Sequence, residues 1–270
     1  MLLHAVDVGT GPRTAVLLHG MMGSSESWWR VIPLLVEQRW RVLALDLPGH
    51  GLSPRDPHLT IERAGSSVAE TIRRLAPEHP VVAVGHSYGA TVLAEAAQRL
   101  GPALAVYVDA GLALPGGQDR AELTARYERD RAARLSSEWL RRSRPFYSAQ
   151  DAEVEARAAS RFDPATMASI SCGPDHSWLP AAGSVVVRTD PSDWVSDDDV
   201  RRFEANGVEV RRIPEVAHTI WYSHFDEFTA ALPELFAPAR ENHISREPSG
   251  VHKSRARLSE PYSAPDYPER

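Results

Sequence analysis

Short runs of β-branched and other apolar residues alternate along this chain with longer amphipathic segments. This alternation is typical of an α/β fold with a mainly parallel sheet. Most of the runs are apolar at every position, as expected for strands that are buried on both faces. Segment 2–8 alternates less cleanly, so we expect an antiparallel edge strand there. The predicted sheet strands are 16–18, 42–45, 81–84, 105–108, 185–187 and 208–210.

The segments between the early strands have the apolar spacing of helices. We predict helices over 26–38, 60–75 and 90–100. The second has Thr60 as its N-cap and the third is ended by Gly101. Helices therefore flank the predicted sheet.

The strand pattern disappears over 112–183, where helical segments are separated by prolines. We therefore predict a core over 1–111 and 184–239, with a helical insertion between two strands of the sheet. Residues 240–270 are rich in Pro, Ser and mixed charges, and we expect a disordered tail there.

The overall composition excludes several classes of protein. A net charge of −6 and a pI near 6.0 argue against a nucleic-acid or anionic-membrane protein. Cys172 is the only cysteine, so a disulfide scaffold is excluded, and Cys172 with His176 alone argues against a metal site. We find no basic leader with an apolar stretch, nor the ~18 apolar residues of a membrane span. The sequence predicts a soluble, cytoplasmic protein.

The pentapeptide Gly85-His86-Ser87-Tyr88-Gly89 lies between a predicted buried strand and a predicted Ala-rich helix. This is the setting of a nucleophile elbow, in which G-x-S-x-G presents a serine on a sharp strand-to-helix turn. The helix N-terminus would favour negative charge that develops beside the serine. We therefore predict that Ser87 is a nucleophile and not a surface serine of an ordinary turn.

A serine hydroxyl needs a base within hydrogen-bond reach. His218 is the predicted base, because it follows the last predicted strand and so belongs to the same sheet edge as the elbow. We interpret His86 as structural and His224 as an exposed residue of a first helical turn.

The carboxylate that orients the base should follow strand 185–187, in chain order between nucleophile and base. Asp193 is the first choice, because the two apolar residues after it would anchor its loop. Asp190 is the second choice, since the following proline holds it extended near the strand end. Asp109, after strand 105–108, is the third. The acids at 197–199 are interpreted as helix-capping residues.

A tetrahedral intermediate needs two backbone N–H donors for its oxyanion. We predict the amide of Tyr88, the residue after the nucleophile. The second donor is the amide of Met21, in the loop His19-Gly20-Met21-Met22-Gly23 that follows an early strand.

These motifs together resemble the α/β-hydrolase superfamily, in particular its cofactor-free esterase, lactonase and haloperoxidase-like branch. The resemblance covers 1–111 and 184–238 and includes Asp46-Leu47-Pro48-Gly49-His50-Gly51-Leu52-Ser53, which looks like the family's fixed turn. It implies that the insertion is a helical cap that roofs the active site and sets substrate choice. It implies neither metal nor cofactor. Arg188-Thr189 stands where the family often has glycine, which leaves Asp190 and Asp193 both open.

The expected function is that of a serine hydrolase acting on an ester, lactone or thioester of a small or medium acyl substrate. It would use a Ser-His-Asp triad and an acyl-enzyme. The same scaffold would also serve a cofactor-free lyase or C–C hydrolase, or a ligand-binding protein with low turnover. The expected partner is a small-molecule acyl substrate, with no nucleic-acid or membrane partner.

Overall fold

A seven-stranded sheet forms the centre of the computed structural model. The model describes residues 1–77 and 82–237, so the tail expected over 240–270 lies outside the described residues. The sheet strands are β1 (Ala5–Val8), β2 (Arg13–Leu18), β3 (Trp40–Leu45), β4 (Val82–His86), β5 (Leu104–Val108), β8 (Val185–Asp190) and β9 (Glu209–Pro214). These strands lie in the order β1-β3-β2-β4-β5-β8-β9. Among the described residues, only β1 pairs antiparallel in this sheet, which confirms the predicted edge strand and the mainly parallel architecture.

Two layers of helices cover the sheet. Their helices are α1 (Val31–Glu37), α2 (Ile61–Leu75), α3 (Tyr88–Leu100), α8 (Asp197–Ala205), α9 (Ile220–Ser223), α10 (Phe225–Ala230) and α11 (Pro233–Phe236). In β2, Val16 and Leu18 belong to the core cluster that includes residues of α2, α3 and α8, whereas Ala15 and Leu17 belong to the cluster that includes residues of α1, α9, α10 and α11. Both faces of the strand are therefore buried, which explains its continuous apolar sequence.

The helix boundaries follow the capping residues. Thr60 accepts a hydrogen bond from the amide of Arg63, and Gly101 ends α3 in the left-handed conformation, as predicted. The single helix predicted over 26–38 is wrong, because the chain forms a 3-10 helix (Ser25–Trp28) before α1 begins. Ser24 caps that 3-10 turn.

The insertion, residues 112–183, consists mainly of α4 (Arg120–Arg134), α5 (Ser137–Ser143), α6 (Ala149–Ser160) and α7 (Pro164–Ile170). Its two ends are joined by antiparallel strands β6 (Ala113–Leu114) and β7 (His176–Ser177). We did not predict these strands, since two residues are too few to show a strand period.

Helix α6 is fastened to the core by two buried acids. The carboxylate of Asp151 accepts hydrogen bonds from the indole of Trp29 (3.1 Å) and the guanidinium of Arg30 (2.9 Å). Oε1 of Glu155 accepts hydrogen bonds from the hydroxyls of Ser27 (3.0 Å) and Tyr222 (3.1 Å). These contacts hold the insertion beside the carboxyl-terminal edge of the sheet.

We expect Glu155→Gln to stabilise the protein at neutral and alkaline pH. Burial raises the pKa of Glu155, so this group contributes stability at low pH that is lost as pH rises through the raised pKa. Glutamine keeps an oxygen acceptor for both hydroxyls and carries no charge. The melting temperature of the variant should exceed that of the wild type at about pH 8, and the gap should close towards about pH 4.

Glu153→Gln is the matched control, because Glu153 lies on the same helix and is exposed. The control should show no pH-dependent gap. If Glu155→Gln melted below the wild type at alkaline pH, the claim that this site destabilises a charged Glu155 would be contradicted.

Candidate active site

Ser87, Asp109 and His218 lie at the carboxyl ends of three parallel strands of one sheet. Ser87 follows β4, Asp109 follows β5, and His218 lies in the segment between β9 and α9. The amide of Ser87 donates to the carbonyl of Val108 at 2.9 Å, which fixes the elbow against the end of β5. The carboxyl ends of parallel strands are where open α/β sheets place their ligands.

The turn at Ser87 has the strained geometry of a nucleophile elbow. Ser87 has φ 51° and ψ −119°, a conformation that costs energy for a residue with a side chain. A Cβ at Gly85 would lie 2.4 Å from the carbonyl oxygen of Gly89, and one at Gly89 would lie 2.4 Å from that of Leu18. Both positions therefore require glycine.

The carboxylate bonded to His218 is that of Asp109. Oδ2 of Asp109 lies 2.7 Å from Nδ1 of His218, and the Asp109 side chain has no exposed surface. Its Oδ1 accepts hydrogen bonds from the hydroxyl of Ser192 (2.8 Å) and from the amide and hydroxyl of Thr189 (3.2 Å each). Burial alone would raise the pKa of Asp109, but the bonds from His218 and Ser192 outweigh it and lower the pKa. The group is therefore charged at neutral pH.

The expectation that Asp193 or Asp190 is bonded to His218 is wrong in this structure. Strand β8 continues to Asp190, three residues beyond the predicted end at Val187, so Asp190 is half-exposed and pairs with Arg188 at 3.3 Å. Asp193 is exposed, and its side chain forms no hydrogen bond or ion pair within the described ranges.

The loop after β8 contributes a different residue to the site. Val195 is buried and anchors the loop, but Trp194 is 55% exposed and its ring lies 4.9 Å from the His218 ring. Ser192 donates to Asp109 and accepts the amides of Trp194 and Val195. Sequence reasoning missed Ser192 and Thr189, and the one signal for them was their place directly after a buried strand.

His86 holds the backbone of His218. Its Nε2 lies 2.9 Å from the carbonyl oxygen of His218, and the two rings lie 4.6 Å apart. Since that carbonyl accepts, Nε2 carries the proton. Burial lowers the pKa of His86 to about 3, so this ring is neutral. This contact agrees with the structural interpretation of His86.

For the reaction expected from the sequence, we predict that His86→Phe lowers kcat roughly 10- to 100-fold with little change in KM. Phenylalanine fills the buried space but cannot donate to the His218 carbonyl, so the base loses its fixed position. Steady-state kinetics on a p-nitrophenyl ester would measure this.

His224→Phe is the control for that variant. His224 is half-buried, not exposed as predicted, and its Nδ1 is buried without a partner among the described residues. Its replacement should leave kcat near the wild-type value. Equal losses in both variants would mean that the His86 contact has no specific role.

Two backbone amides beside Ser87 are free to bind an anion. Tyr88 is the first residue of α3, and neither its amide nor that of Met21 has a protein acceptor in the described part of the chain. A Cβ at Gly20 would lie 3.3 Å from Cβ of Ser87, so the Met21 loop borders the elbow.

Two buried histidines hold the loop that contains Met21. Nε2 of His50 accepts the amide of Met22 at 3.2 Å, and Nδ1 of His19 lies 2.8 Å from the carbonyl oxygen of Gly20. Burial lowers the pKa of His50 to about 3, so His50 is a neutral acceptor. The amide of Met22 is thereby occupied, while that of Met21 stays free.

Among residues 1–77 and 82–237, no group of three or more His, Cys, Asp or Glu side chains is arranged to hold a metal ion. Over the same residues, no helix combines the length and the apolar character that crossing a bilayer requires.

The sheet edge carries a strained serine on an elbow beside a histidine-carboxylate pair. This arrangement is typical of α/β hydrolases. The chain belongs to the alpha/beta hydrolase family, whose model matches residues 15–231. This confirms the fold and the family resemblance found in the sequence.

The relatives that the chain matches in sequence include esterases. It is 39% identical over 94 residues to a pimeloyl-(acyl-carrier protein) methyl ester esterase of Methylococcus capsulatus, covering 35% of this chain and 34% of that protein. It is 35% identical over 95 residues to Methylesterase 8 of Arabidopsis thaliana, covering 34% and 35%. The chain therefore spans about a third of the length of the curated relatives it matches, 34% for the first of them.

Solved structures share the fold over most of the chain. A bromoperoxidase from Bacillus anthracis superimposes with a TM-score of 0.70 at 20% identity, covering 86% of this chain and 94% of the other. A marine microorganism esterase superimposes with a TM-score of 0.65 at 16% identity, covering 87% and 99%. At these identities the likeness extends to the fold alone.

Proposed function

We propose that this protein is a serine hydrolase that cleaves carboxylic esters, lactones or thioesters of small or medium acyl groups. Its triad is Ser87, His218 and Asp109. The observation that carries the proposal is the 2.7 Å bond between buried Asp109 and His218, beside a serine in the strained elbow conformation. The esterases among the sequence relatives support the same reaction class.

In the proposed first half-reaction, the Ser87 hydroxyl attacks the acyl carbonyl and passes its proton to Nε2 of His218. Nε2 is the nitrogen available for this, because Nδ1 donates to Asp109. The negative charge on Asp109 stabilises the imidazolium that forms. The amides of Met21 and Tyr88 bind the oxyanion, and His218 then protonates the leaving alcohol.

In the second half-reaction, water attacks the acyl-enzyme. His218 takes a proton from that water and returns it to Ser87, which releases the acid. The charged Asp109 keeps His218 in the same tautomer throughout. No metal or cofactor has a role in either step.

Hydrolysis of a graded series of p-nitrophenyl esters in isotopically labelled water tests this proposal. A hydrolase places one labelled oxygen in each molecule of acid product. Product formed without label would favour the cofactor-free lyase, and tight binding without turnover would favour a ligand-binding protein. A C–C hydrolase would also incorporate label, and would be recognised by turnover of a β-diketone in preference to the esters.

A further inference from the structure

The side chain of Tyr88 has a buried hydroxyl with no partner. Its oxygen is almost completely buried and forms no hydrogen bond with any described residue. The residue as a whole is 9% exposed. Native proteins rarely leave a buried side-chain hydroxyl unsatisfied, so this one requires an explanation.

The surroundings of this hydroxyl are aromatic and come from both the core and the insertion. The Tyr88 ring stacks on His50 with ring centroids 5.9 Å apart, and Phe162 lies 5.0 Å from His50. Tyr127 of α4 lies 6.3 Å from Phe162 and, after burial itself, is the second cause that raises the pKa of Tyr88. The Tyr88 phenol therefore stays neutral and retains its proton as a donor.

Neighbouring polar groups cannot satisfy the Tyr88 hydroxyl. Nε2 of His50 accepts the amide of Met22, and its Nδ1 bonds to the carbonyl of Pro48 at 3.0 Å. Tyr127 interacts with Tyr88 electrostatically but forms no hydrogen bond with it among the described contacts. Within the described structure, the Tyr88 hydroxyl is the buried hydrogen-bonding atom of this cluster that has no partner.

The position of the ring assigns it to the acyl side of the site. His218 must protonate the leaving alcohol, so the alcohol occupies the side of His218 and Trp194. Tyr88 stacks on His50, which holds the Met21 loop. On the proposed mechanism, with the carbonyl oxygen of the substrate on the amides of Met21 and Tyr88, we place the acyl chain on the side of the Tyr88 ring.

We propose that the Tyr88 hydroxyl determines acyl specificity by donating a hydrogen bond to an oxygen in the acyl chain. The favoured substrates are esters of medium-length acyl groups that carry an ether or carbonyl oxygen beyond the scissile carbonyl. This inference rests on the proposed function, because it requires the acyl group to be bound at Ser87.

Matched pairs of p-nitrophenyl esters test the proposal. One member carries a terminal methoxy group on a propanoyl, butanoyl or pentanoyl chain, and its isostere is the pentanoate, hexanoate or heptanoate. For each pair, the preference is the kcat/KM of the methoxy ester divided by that of the alkyl ester. Comparing wild type with Tyr88→Phe cancels the effect of the ether oxygen on intrinsic reactivity.

At one chain length the preference should fall about tenfold in Tyr88→Phe, as expected for the loss of one hydrogen bond from a neutral donor. Tyr107→Phe is the control, because Tyr107 is a buried tyrosine of β5 whose backbone pairs with Gly85 and Val186 inside the sheet. It should leave the preference unchanged. The melting temperature of Tyr88→Phe should not fall, since the hydroxyl has no partner to lose.

This proposal would be overturned if the preferences of wild type and Tyr88→Phe agreed within about twofold at all three chain lengths. Continued ester hydrolysis would leave the proposed function standing in that case. An equal shift in Tyr107→Phe, or a clear fall in the melting temperature of Tyr88→Phe, would also overturn it. Absence of ester turnover in the wild type would remove the proposed function and this inference with it.

Discussion

Ser87→Ala should abolish ester turnover and labelling by a fluorophosphonate probe. Removing the nucleophile of a triad costs about 10⁶-fold in kcat in a well-studied serine protease, because no acyl-enzyme can form. Alanine adds no bulk at the elbow, and Ser87 Oγ forms no hydrogen bond in the described structure, so folding should be preserved. In-gel fluorescence and steady-state kinetics measure the two losses.

A second serine near the site serves as the control for labelling. Ser192→Ala removes a hydroxyl that bonds to Asp109 and not the predicted nucleophile. The probe should still label Ser192→Ala. Full ester turnover by Ser87→Ala would contradict the assignment of Ser87, whatever the labelling pattern.

Asp109→Asn should lower kcat by roughly 10³- to 10⁴-fold while leaving the fold intact. The amide keeps an oxygen that can accept from Thr189 and Ser192. Its NH₂ group, however, would face Nδ1 of His218 and force that nitrogen to become an acceptor. The proton then moves to Nε2, which can no longer take the proton of Ser87.

Asp193→Asn and Asp190→Asn are the matched controls, because both carboxylates lie on the same sheet edge and neither contacts His218. Their kcat should stay near the wild-type value, with circular dichroism confirming that all three variants fold. A large loss of kcat in Asp193→Asn, together with near-wild-type kcat in Asp109→Asn, would contradict the assignment of Asp109. It would support Asp193 as the acid, as expected from the sequence.

The fold could be predicted because its signals are local. Each buried strand is a short apolar run, Thr60 and Gly101 mark helix ends by their own chemistry, and the elbow motif lies within five consecutive residues, 85–89. The interrupted helix after Ser24 was the exception, since a 3-10 turn and an α-helix share the same apolar spacing over so few residues.

The acid could not be chosen from sequence because the choice depends on strand order and strand length. Asp109 follows β5, which lies directly beside the nucleophile strand β4 in the sheet. Its backbone has φ 48°, and its amide donates to the carbonyl of Val187 at 2.7 Å, so the chain turns sharply there. No local sequence pattern shows which strand lies beside β4 or that the chain turns at Asp109. The prediction of the acid therefore rested on chain order, which favoured the loop after β8.

The central claim, that Ser87 forms an acyl-enzyme, is tested most directly by rapid-quench mass spectrometry of the wild type with a p-nitrophenyl ester. We expect one acyl group per chain within the first turnover, located on the peptide that contains Ser87. The adduct should be absent from Ser87→Ala. Steady turnover with no acyl group on the Ser87 peptide at any quench time, in either the wild type or Asp109→Asn, would contradict the account.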